Sequence, residues 1–323
     1  MKILNFHRSI CLLLLVLCTL SNGIQAQSFD EKVELKPSQQ GYVPVKEGKL
    51  YYQVFGKGPL IILLHGGPGL DQTYLLPQML ELAKNYQVVL YDQRGSGKSI
   101  TGELSAKVIN VPQFVEDLEA IRKHLGQEKF ILMGHSWGGF LAMQYAIAHP
   151  NHLSSLILLN SGPATSLGRK AFFTELTRKI SPIQSKLDAI QAQKNFKEGD
   201  PDTIAEFFRI LFSAYFYHPS QVQELSLHFT TENSLSVFKI VNIFNETYFA
   251  KDYDLTAELK KLKFPTLIIA GSEDVMPVWT EKEIASSIPN SKFVLIDQCG
   301  HFPYIEKPIK FFNELEIFLK TVK

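Results

Sequence analysis

The sequence of 323 residues contains only three cysteines, and two of them, Cys11 and Cys18, fall in an apolar run near the amino terminus. If that run is removed during export, Cys299 stands alone and no intramolecular disulfide can form. A zinc site built on cysteines is excluded for the same reason, and the sequence contains no His-Glu-x-x-His motif. We therefore expect a fold that depends on its hydrophobic core.

The sequence also lacks an excess of charge of either sign. Its 33 basic and 32 acidic residues give a formal net charge of +1. Nothing electrostatic therefore points to nucleic acid or to an anionic membrane surface. An apolar fraction of 45% is that of an ordinary globular protein, and the length fits one large domain or a core with an insertion.

The first 26 residues have the three parts of a secretory signal peptide. Basic residues precede the apolar run of residues 10–18, and a small-residue cleavage site ends at Ala26. The alternatives are an uncleaved anchor, for which the run is short, and a lipoprotein signal ending at Cys18, where Leu17 is bulkier than a lipidation site prefers. The sequence thus predicts an exported protein, periplasmic or secreted, whose mature chain has no integral membrane span.

Apolar runs of strand length recur along the rest of the chain, after an opening hairpin predicted over residues 43–55. The runs span residues 60–64, 87–91, 130–133, 156–159, 266–270 and 293–296. Continuous apolar runs are typical of strands covered on both faces, as in a parallel sheet. Helical patterns lie between them, so we expect an α/β fold with a mostly parallel, doubly wound sheet.

The alternation is interrupted for about a hundred residues, which contain several amphipathic helical stretches, many aromatic residues and no strand-like run. We interpret this segment as a helical cap inserted after the sixth core strand. Most of its aromatic residues are expected to form the core of the cap and some to line the roof of a pocket. The predicted organisation is a signal peptide (1–26), a core (27–161 and 262–323) and a cap (162–261).

Residues 134–139 read Gly-His-Ser-Trp-Gly-Gly and directly follow the apolar run of residues 130–133. A buried strand followed by Gly-x-Ser-x-Gly forms a nucleophile elbow, a tight turn from strand to helix that exposes one serine hydroxyl above the sheet. The flanking glycines are needed because a side chain at either position would clash as the turn closes. The pattern predicts Ser136 as a catalytic nucleophile.

A catalytic acid and base are expected at the carboxyl ends of later strands, in the order serine, acid, histidine. Asp274 follows the run ending at residue 270, and His301 follows the last strand. His301 would take the proton from Ser136, while Asp274 would fix the tautomer of the ring. Glu273, next to Asp274, is the alternative acid.

The negative charge that develops on a tetrahedral intermediate needs preorganised N–H donors. One donor should be the backbone N–H of Trp137, the residue after the nucleophile. The other should come from the glycine-rich loop of residues 65–69, with Gly67 as the first choice and Gly66 as the second.

Residues 95–99 read Gly-Ser-Gly-Lys-Ser and look like the end of a phosphate-binding loop. Such a loop would need glycine at position 92, which is Asp92, so nucleotide binding is not expected. We expect Arg94 instead to pair with an acid and to hold this loop beneath the active site.

The segments 65–69, 92–99 and 134–139, together with Gly300-His301-Phe302-Pro303, resemble the proline iminopeptidase family of α/β-hydrolases. The resemblance covers the core, over about residues 42–160 and 262–320. It implies the α/β-hydrolase fold and a serine exopeptidase that releases an amino-terminal residue, often proline, from short peptides. It also implies that no metal or organic cofactor is needed.

The resemblance is weaker in the cap, where family members hold the free amine of the substrate with carboxylates, one of them in a segment like Glu-Asn-His-Tyr-Phe. The nearest match here begins Asn245-Glu246, so that Asn245 takes the matching place and the acid is shifted by one residue. Such a shift rotates a side chain by about 100° on a helix. Glu246 is the first candidate for the amine ligand, and Glu232 is another.

Three functional hypotheses follow from the sequence. The first is an exported aminopeptidase of the proline iminopeptidase type that acts on short peptides. The second is a hydrolase of esters, lactones or other small acyl compounds on the same core. The third, a catalytically inactive binding protein, is disfavoured because all three catalytic positions are filled.

Overall fold

A computed structural model describes residues 36–322, so the predicted signal peptide lies outside the described residues. Within this range nine strands form one sheet. The strands are β1 (Gln39–Val45), β2 (Gly48–Phe55), β3 (Leu60–Leu64), β4 (Gln87–Tyr91), β5 (Ile100–Thr101), β6 (Phe130–His135), β7 (Leu153–Leu159), β8 (Thr266–Gly271) and β9 (Ser291–Ile296).

The strand order is β1-β2-β4-β3-β6-β7-β8-β9, with the short β5 paired to β2. The hairpin β1–β2 is antiparallel, and β2 pairs antiparallel with β4. From β4 to β9 all neighbouring strands along this order are parallel. The predicted mostly parallel sheet is therefore confirmed, and the carboxyl ends of its parallel strands share one edge.

Helices connect the strands. They are α1 (Val111–His124), α2 (Trp137–Ala148), α3 (Ser166–Ile180), α4 (Gln184–Ala192), α5 (Lys194–Glu198), α6 (Pro201–Ser213), α7 (Ser236–Glu246), α8 (Thr256–Leu259), α9 (Val278–Ser287), α10 (Pro303–Glu306) and α11 (Pro308–Leu319). Short 3₁₀ turns span Gln72–Leu75, Gln78–Lys84, Pro150–His152, Ser181–Ile183 and Pro219–Glu224. None of the helices within residues 36–322 is both long and apolar enough to cross a membrane.

Two hydrophobic clusters cover the two faces of the sheet, because alternate residues of each strand belong to different clusters. In β3, for example, Ile61 and Leu63 belong to one cluster and Ile62 to the other, and every residue of the strand is buried. Burial on both faces explains why the strands are continuously apolar in the sequence.

The chain between β7 and β8 is helical and includes all of α3 to α8. Among the described residues of this segment, the only β-type pairing is an isolated bridge between Thr165 and Asp254. Aromatic rings of α6 and α7 pack together, for instance Phe208 with Phe238 at 5.8 Å between ring centroids. This helical segment supplies side chains to the cavity that opens above the end of β6.

Candidate active site

Ser136 occupies the turn between β6 and α2 in a strained backbone conformation, with φ of +58° and ψ of −123°. Non-glycine residues avoid this region and persist there only where the surrounding structure imposes it. A Cβ atom at Gly134 would overlap the carbonyl group of Gly138, so the turn can close only with glycine at that position. The half-buried Ser136 lines the cavity above the sheet.

His301 and Asp274 meet at the same edge of the sheet. The Nδ1 atom of the His301 ring lies 2.8 Å from Oδ1 of Asp274, and both side chains are almost fully buried. The second carboxylate oxygen of Asp274 accepts a hydrogen bond of 2.6 Å from the amide of Asn160, which follows β7. Glu273 is exposed. The geometry therefore brings Asp274 to the histidine rather than Glu273.

The ring of His301 lines the cavity together with Ser136. Because a carboxylate only accepts hydrogen bonds, the Asp274 contact requires a proton on Nδ1 of His301. In the neutral ring this leaves Nε2 without a proton and able to accept one. The arrangement can therefore support general-base chemistry on a group in the cavity.

A chain of hydrogen bonds joins the glycine-rich loop to the histidine loop. The N–H of Gly66 donates to the Tyr74 hydroxyl at 2.6 Å, this hydroxyl lies 2.7 Å from Nδ1 of His135, and Nε2 of His135 lies 2.8 Å from the carbonyl oxygen of His301. The carbonyl can only accept, so Nε2 of His135 carries the proton and Tyr74 donates to Nδ1. Burial and the neighbouring His301 hold the pKa of His135 well below its usual value, so its ring is neutral.

The Tyr74 contact decides between the two candidate donors of the glycine-rich loop. The N–H of Gly66 is already engaged, whereas the N–H groups of Gly67 and Trp137 have no acceptor among residues 36–322. Gly67 has a φ of +124°, which a residue with a side chain rarely adopts. These two N–H groups, at the loop and at the first residue of α2, are left for a ligand in the cavity.

Gln93 fastens the glycine-rich loop to the nucleophile turn. Its side-chain amide donates to the carbonyl oxygen of His65 at 2.7 Å, and its amide oxygen accepts from the indole N–H of Trp137 at 2.8 Å. Its backbone N–H donates to Nε2 of His65 at 2.9 Å. Burial lowers the pKa of His65 to about 4, so this ring is also neutral. Sequence reasoning did not identify Gln93, because its partners are distant along the chain.

Arg94 pairs with an acid, as the sequence predicts. Its Nε and Nη2 atoms contact the two carboxylate oxygens of Asp117 in α1 at 2.9 and 2.5 Å, and its Nη1 donates to the carbonyl oxygen of Lys46. Both side chains are almost completely buried. Burial raises the pKa of Asp117 to about 6 in spite of the opposing effect of Arg94. The pair ties the segment after β4 to α1.

Glu306 holds the loop that carries His301. Its carboxylate accepts hydrogen bonds of 3.0 Å from the N–H of Gly300 and 3.1 Å from that of Phe302, the residues on either side of the histidine. It also accepts a bond of 2.7 Å from the N–H of Tyr217 in the helical segment. Glu306 therefore fixes the backbone on both sides of the histidine.

Glu281 in α9 is a buried acid close to Asp274. No oxygen of its carboxyl group accepts a hydrogen bond of good geometry within residues 36–322. Burial and the charge of Asp274 raise the pKa of Glu281 well above its usual value, and the N–H of Ser161 opposes this only partly. The shift favours the uncharged form of Glu281 beside Asp274.

The cavity above Ser136 has a volume of about 440 Å³ and mainly apolar walls. Aromatic side chains of the helical segment form most of its roof. They include Phe172, Phe207, Phe212, Phe244 and Phe249. Most of the aromatic residues expected in the core of the cap belong to the hydrophobic clusters and also line this cavity, because a helix face that packs against other helices has the same sequence pattern as one that faces a space.

The charges around the cavity differ from the sequence expectation. Glu246, the first candidate for the amine ligand, is the last residue of α7, is exposed and does not line the cavity. Asn245 lines it instead. Glu232 is exposed and also lies outside the lining. Histidines and tyrosines aside, Arg169 is the one ionisable side chain of the lining that belongs to the described residues.

Among the described residues, one group of side chains outside the cavity offers three donor atoms close enough together to hold a metal ion. Glu119, His149 and His152 bring one ligand atom each within 4.8 Å of one another. The Glu119 carboxylate is already bound by Arg122, with contacts of 2.9 and 2.6 Å, and by the Tyr145 hydroxyl. A guanidinium on the same carboxylate repels a cation, so these residues fit a structural ion pair.

Comparison with known proteins agrees with the fold and the motifs. Residues 59–308 match the family described as alpha/beta hydrolase fold. The proline iminopeptidase of Clostridioides difficile is 32% identical over 301 residues, which cover 87% of this chain and 98% of the relative. The chain belongs to the proline iminopeptidase family of α/β-hydrolases. As a family member it is a hydrolase, and its curated relatives are named proline iminopeptidases.

Solved structures agree on the architecture of this α/β-hydrolase. The proline iminopeptidase-related protein of Thermus thermophilus superposes with a TM-score of 0.67, at 23% identity and over 88% of this chain and 98% of that one. A thermophilic esterase from Thermogutta terrifontis superposes with a TM-score of 0.65, at 23% identity and over 88% and 99% of the two chains. At these identities the likeness shows the fold alone.

Proposed function

We propose that this α/β-hydrolase is a serine hydrolase in which Ser136 is the nucleophile, His301 the general base and Asp274 the residue that orients the histidine. The contact of 2.8 Å between His301 Nδ1 and Asp274, beside the cavity that holds Ser136, carries the proposal. The strained turn at Ser136 supports it, because such strain concentrates at functional sites.

The reaction proceeds through an acyl-enzyme. The Ser136 oxygen attacks the carbonyl carbon of the substrate and its proton moves to Nε2 of His301, while the N–H groups of Gly67 and Trp137 stabilise the negative oxygen. The tetrahedral intermediate collapses as His301 returns the proton to the leaving amine or alcohol. A water molecule, deprotonated by His301, then attacks the acyl group and releases Ser136.

We propose an aminopeptidase that releases proline or another small residue from the amino terminus of short peptides. The similarity to curated proline iminopeptidases over nearly their whole length supports this substrate. A second candidate is the hydrolysis of esters, lactones or other small acyl compounds. It is favoured by one observation: no aspartate or glutamate lines the cavity among the described residues, and a buried ammonium without a carboxylate is costly.

The experiment that tests this function compares prolyl- and alanyl-naphthylamides with their N-acetylated forms and with a p-nitrophenyl ester, using protein that begins at Gln27. The Ser136→Ala variant provides the blank. Cleavage of the free-amine substrates alone is the result expected of the aminopeptidase. Turnover of the ester alone would contradict the peptidase and support the second candidate. Turnover that persists in Ser136→Ala would contradict the serine mechanism itself.

We also propose that the protein is exported and cleaved after Ala26. The basic residues, apolar run and small-residue site of residues 1–26 support this. We expect mass spectrometry of protein recovered from outside the cytoplasmic membrane to give Gln27 as the first residue. Recovery of the chain in the cytoplasm with its first residues intact would contradict export, and a lipid on Cys18 would show the lipoprotein alternative.

A further inference from the structure

Arg169 gives the cavity its charge. It lies in the first turn of α3, is half-buried and lines the cavity. Apart from two histidines and the tyrosines, no other ionisable side chain from the described part of the chain lines this space, and no aspartate, glutamate or lysine does. Because the walls are apolar, they screen this charge less than water would. The cavity therefore favours a negatively charged group over a positively charged one.

The guanidinium of Arg169 is positioned but not neutralised. It lies 4.2 Å from the centre of the Phe249 ring and 4.6 Å from that of Phe173, and its Nη2 donates to the amide oxygen of Asn245 at 2.6 Å. These contacts hold the plane of the group and engage one of its five N–H donors. Among residues 36–322 no carboxylate forms an ion pair with it, in contrast to Arg94, which is paired with Asp117.

The remaining donors suit a planar anion. A guanidinium presents parallel N–H groups in a geometry that matches both oxygens of a carboxylate. Burial lowers the pKa of Arg169, as expected for a charge taken from water without a partner of opposite sign. The neighbouring Asn245 amide is uncharged and does not compete with an anionic ligand.

We propose that Arg169 binds a carboxylate of the substrate, so that the enzyme prefers acyl compounds carrying a negative charge away from the scissile bond. The proposal rests on the serine hydrolase function proposed above. Such a carboxylate has two possible sources, the carboxyl terminus of a dipeptide or the far end of a dicarboxylic acyl group. Both present the same chemistry to Arg169.

The test measures charge preference on matched substrates. One arm uses p-nitrophenyl monoesters of succinate, glutarate and adipate beside neutral acyl esters of the same chain length. The other arm uses prolyl-glycine beside prolyl-glycinamide. We expect kcat/KM to be higher for the charged member in at least one arm, and the arm that responds identifies the source of the carboxylate.

Variants show whether Arg169 causes the preference. Arg169→Gln is expected to lower the ratio of kcat/KM, charged over neutral substrate, by about tenfold or more, since hydrogen bonds to a charged group are among the stronger ones. Arg169→Lys keeps the charge and should recover part of the ratio. Lys170→Gln is the matched control, because Lys170 is the adjacent cation, is exposed, contacts Asp252 and does not line the cavity. This control should leave the ratio unchanged.

A binding measurement separates failure of this proposal from failure of the proposed function. Calorimetry with glutarate and with prolyl-glycine uses Ser136→Ala protein, which needs no turnover. Binding that is lost in Ser136→Ala/Arg169→Gln supports the carboxylate site even if no substrate is hydrolysed. The proposal would be overturned if the wild-type protein showed a ratio of kcat/KM, charged over neutral substrate, near one. It would also be overturned if Arg169→Gln changed neither this ratio nor the binding constant of the carboxylate ligands.

Discussion

Replacing Ser136 by glycine is expected to abolish turnover and to stabilise the fold. Loss of the nucleophile in a serine hydrolase lowers kcat by about a millionfold. The positive φ of Ser136 costs on the order of 1–3 kcal/mol, and glycine adopts it freely. Glycine also has more freedom in the unfolded chain, which costs about 0.5–1 kcal/mol. The net expectation is a melting temperature higher by about 2 °C.

The alanine variant of the same residue separates the two effects. Ser136→Ala should be as inactive as Ser136→Gly, but its side chain keeps the backbone strain, so its melting temperature should stay near that of the wild type. Turnover and thermal unfolding of the three proteins provide the check. Appreciable turnover in Ser136→Gly would show that another residue is the nucleophile, and equal melting temperatures of the two variants would show that the turn is not strained.

The second large effect is expected from Arg94→Met. Removing the guanidinium leaves the buried Asp117 carboxylate without its partner, and breaking a buried pair in this way costs about 3–5 kcal/mol. The comparison is Arg178→Met, which removes an arginine from an exposed pair with Glu175 and should barely move the midpoint of urea unfolding.

A double variant tests the cause. If the loss comes from the uncompensated charge, replacing Asp117 by leucine in the Arg94→Met background should restore much of the stability. A single variant no less stable than Arg178→Met would contradict a structural role for the pair. A double variant less stable than Arg94→Met would show that packing, and not charge, is lost.

The sequence predicts the sheet and the elbow because local chemistry determines both. The central strands are buried on both faces, so they contain continuous apolar runs and lack the polar face of an amphipathic helix. The short β5 escapes notice because two residues carry no periodic signal. In α11 the apolar residues 309, 312, 315 and 319 have helical spacing, which predicts one buried face. Leu315 and Leu319 are buried, but Ile309 is exposed and Phe311, outside that spacing, is buried, because spacing alone does not locate the exact edge of the buried face.

The surroundings of the site are less predictable, because they depend on contacts between distant residues. Tyr74 and His135 are 61 positions apart, and Asn160 and Asp274 are 114 apart, so no local pattern connects them. Arg169 lies in the first turn of a helix, where the sequence alone suggests an exposed residue. It lines the cavity only because of where α3 packs in the folded protein. The direction of the Glu246 side chain depends on which side of α7 faces the cavity. The family resemblance does not determine this, because the acid is shifted by one residue relative to the family pattern.

The hydrogen bonds from Gly66 through Tyr74 and His135 to His301 join the loop after β3, the end of β6 and the loop after β9. All groups in this connection are uncharged, and the His135 ring is neutral because burial opposes its protonation. This connection therefore aligns the donor loop with the loop of the base through hydrogen bonds between uncharged groups. Salt, which weakens exposed ion pairs, therefore has little effect on this buried connection.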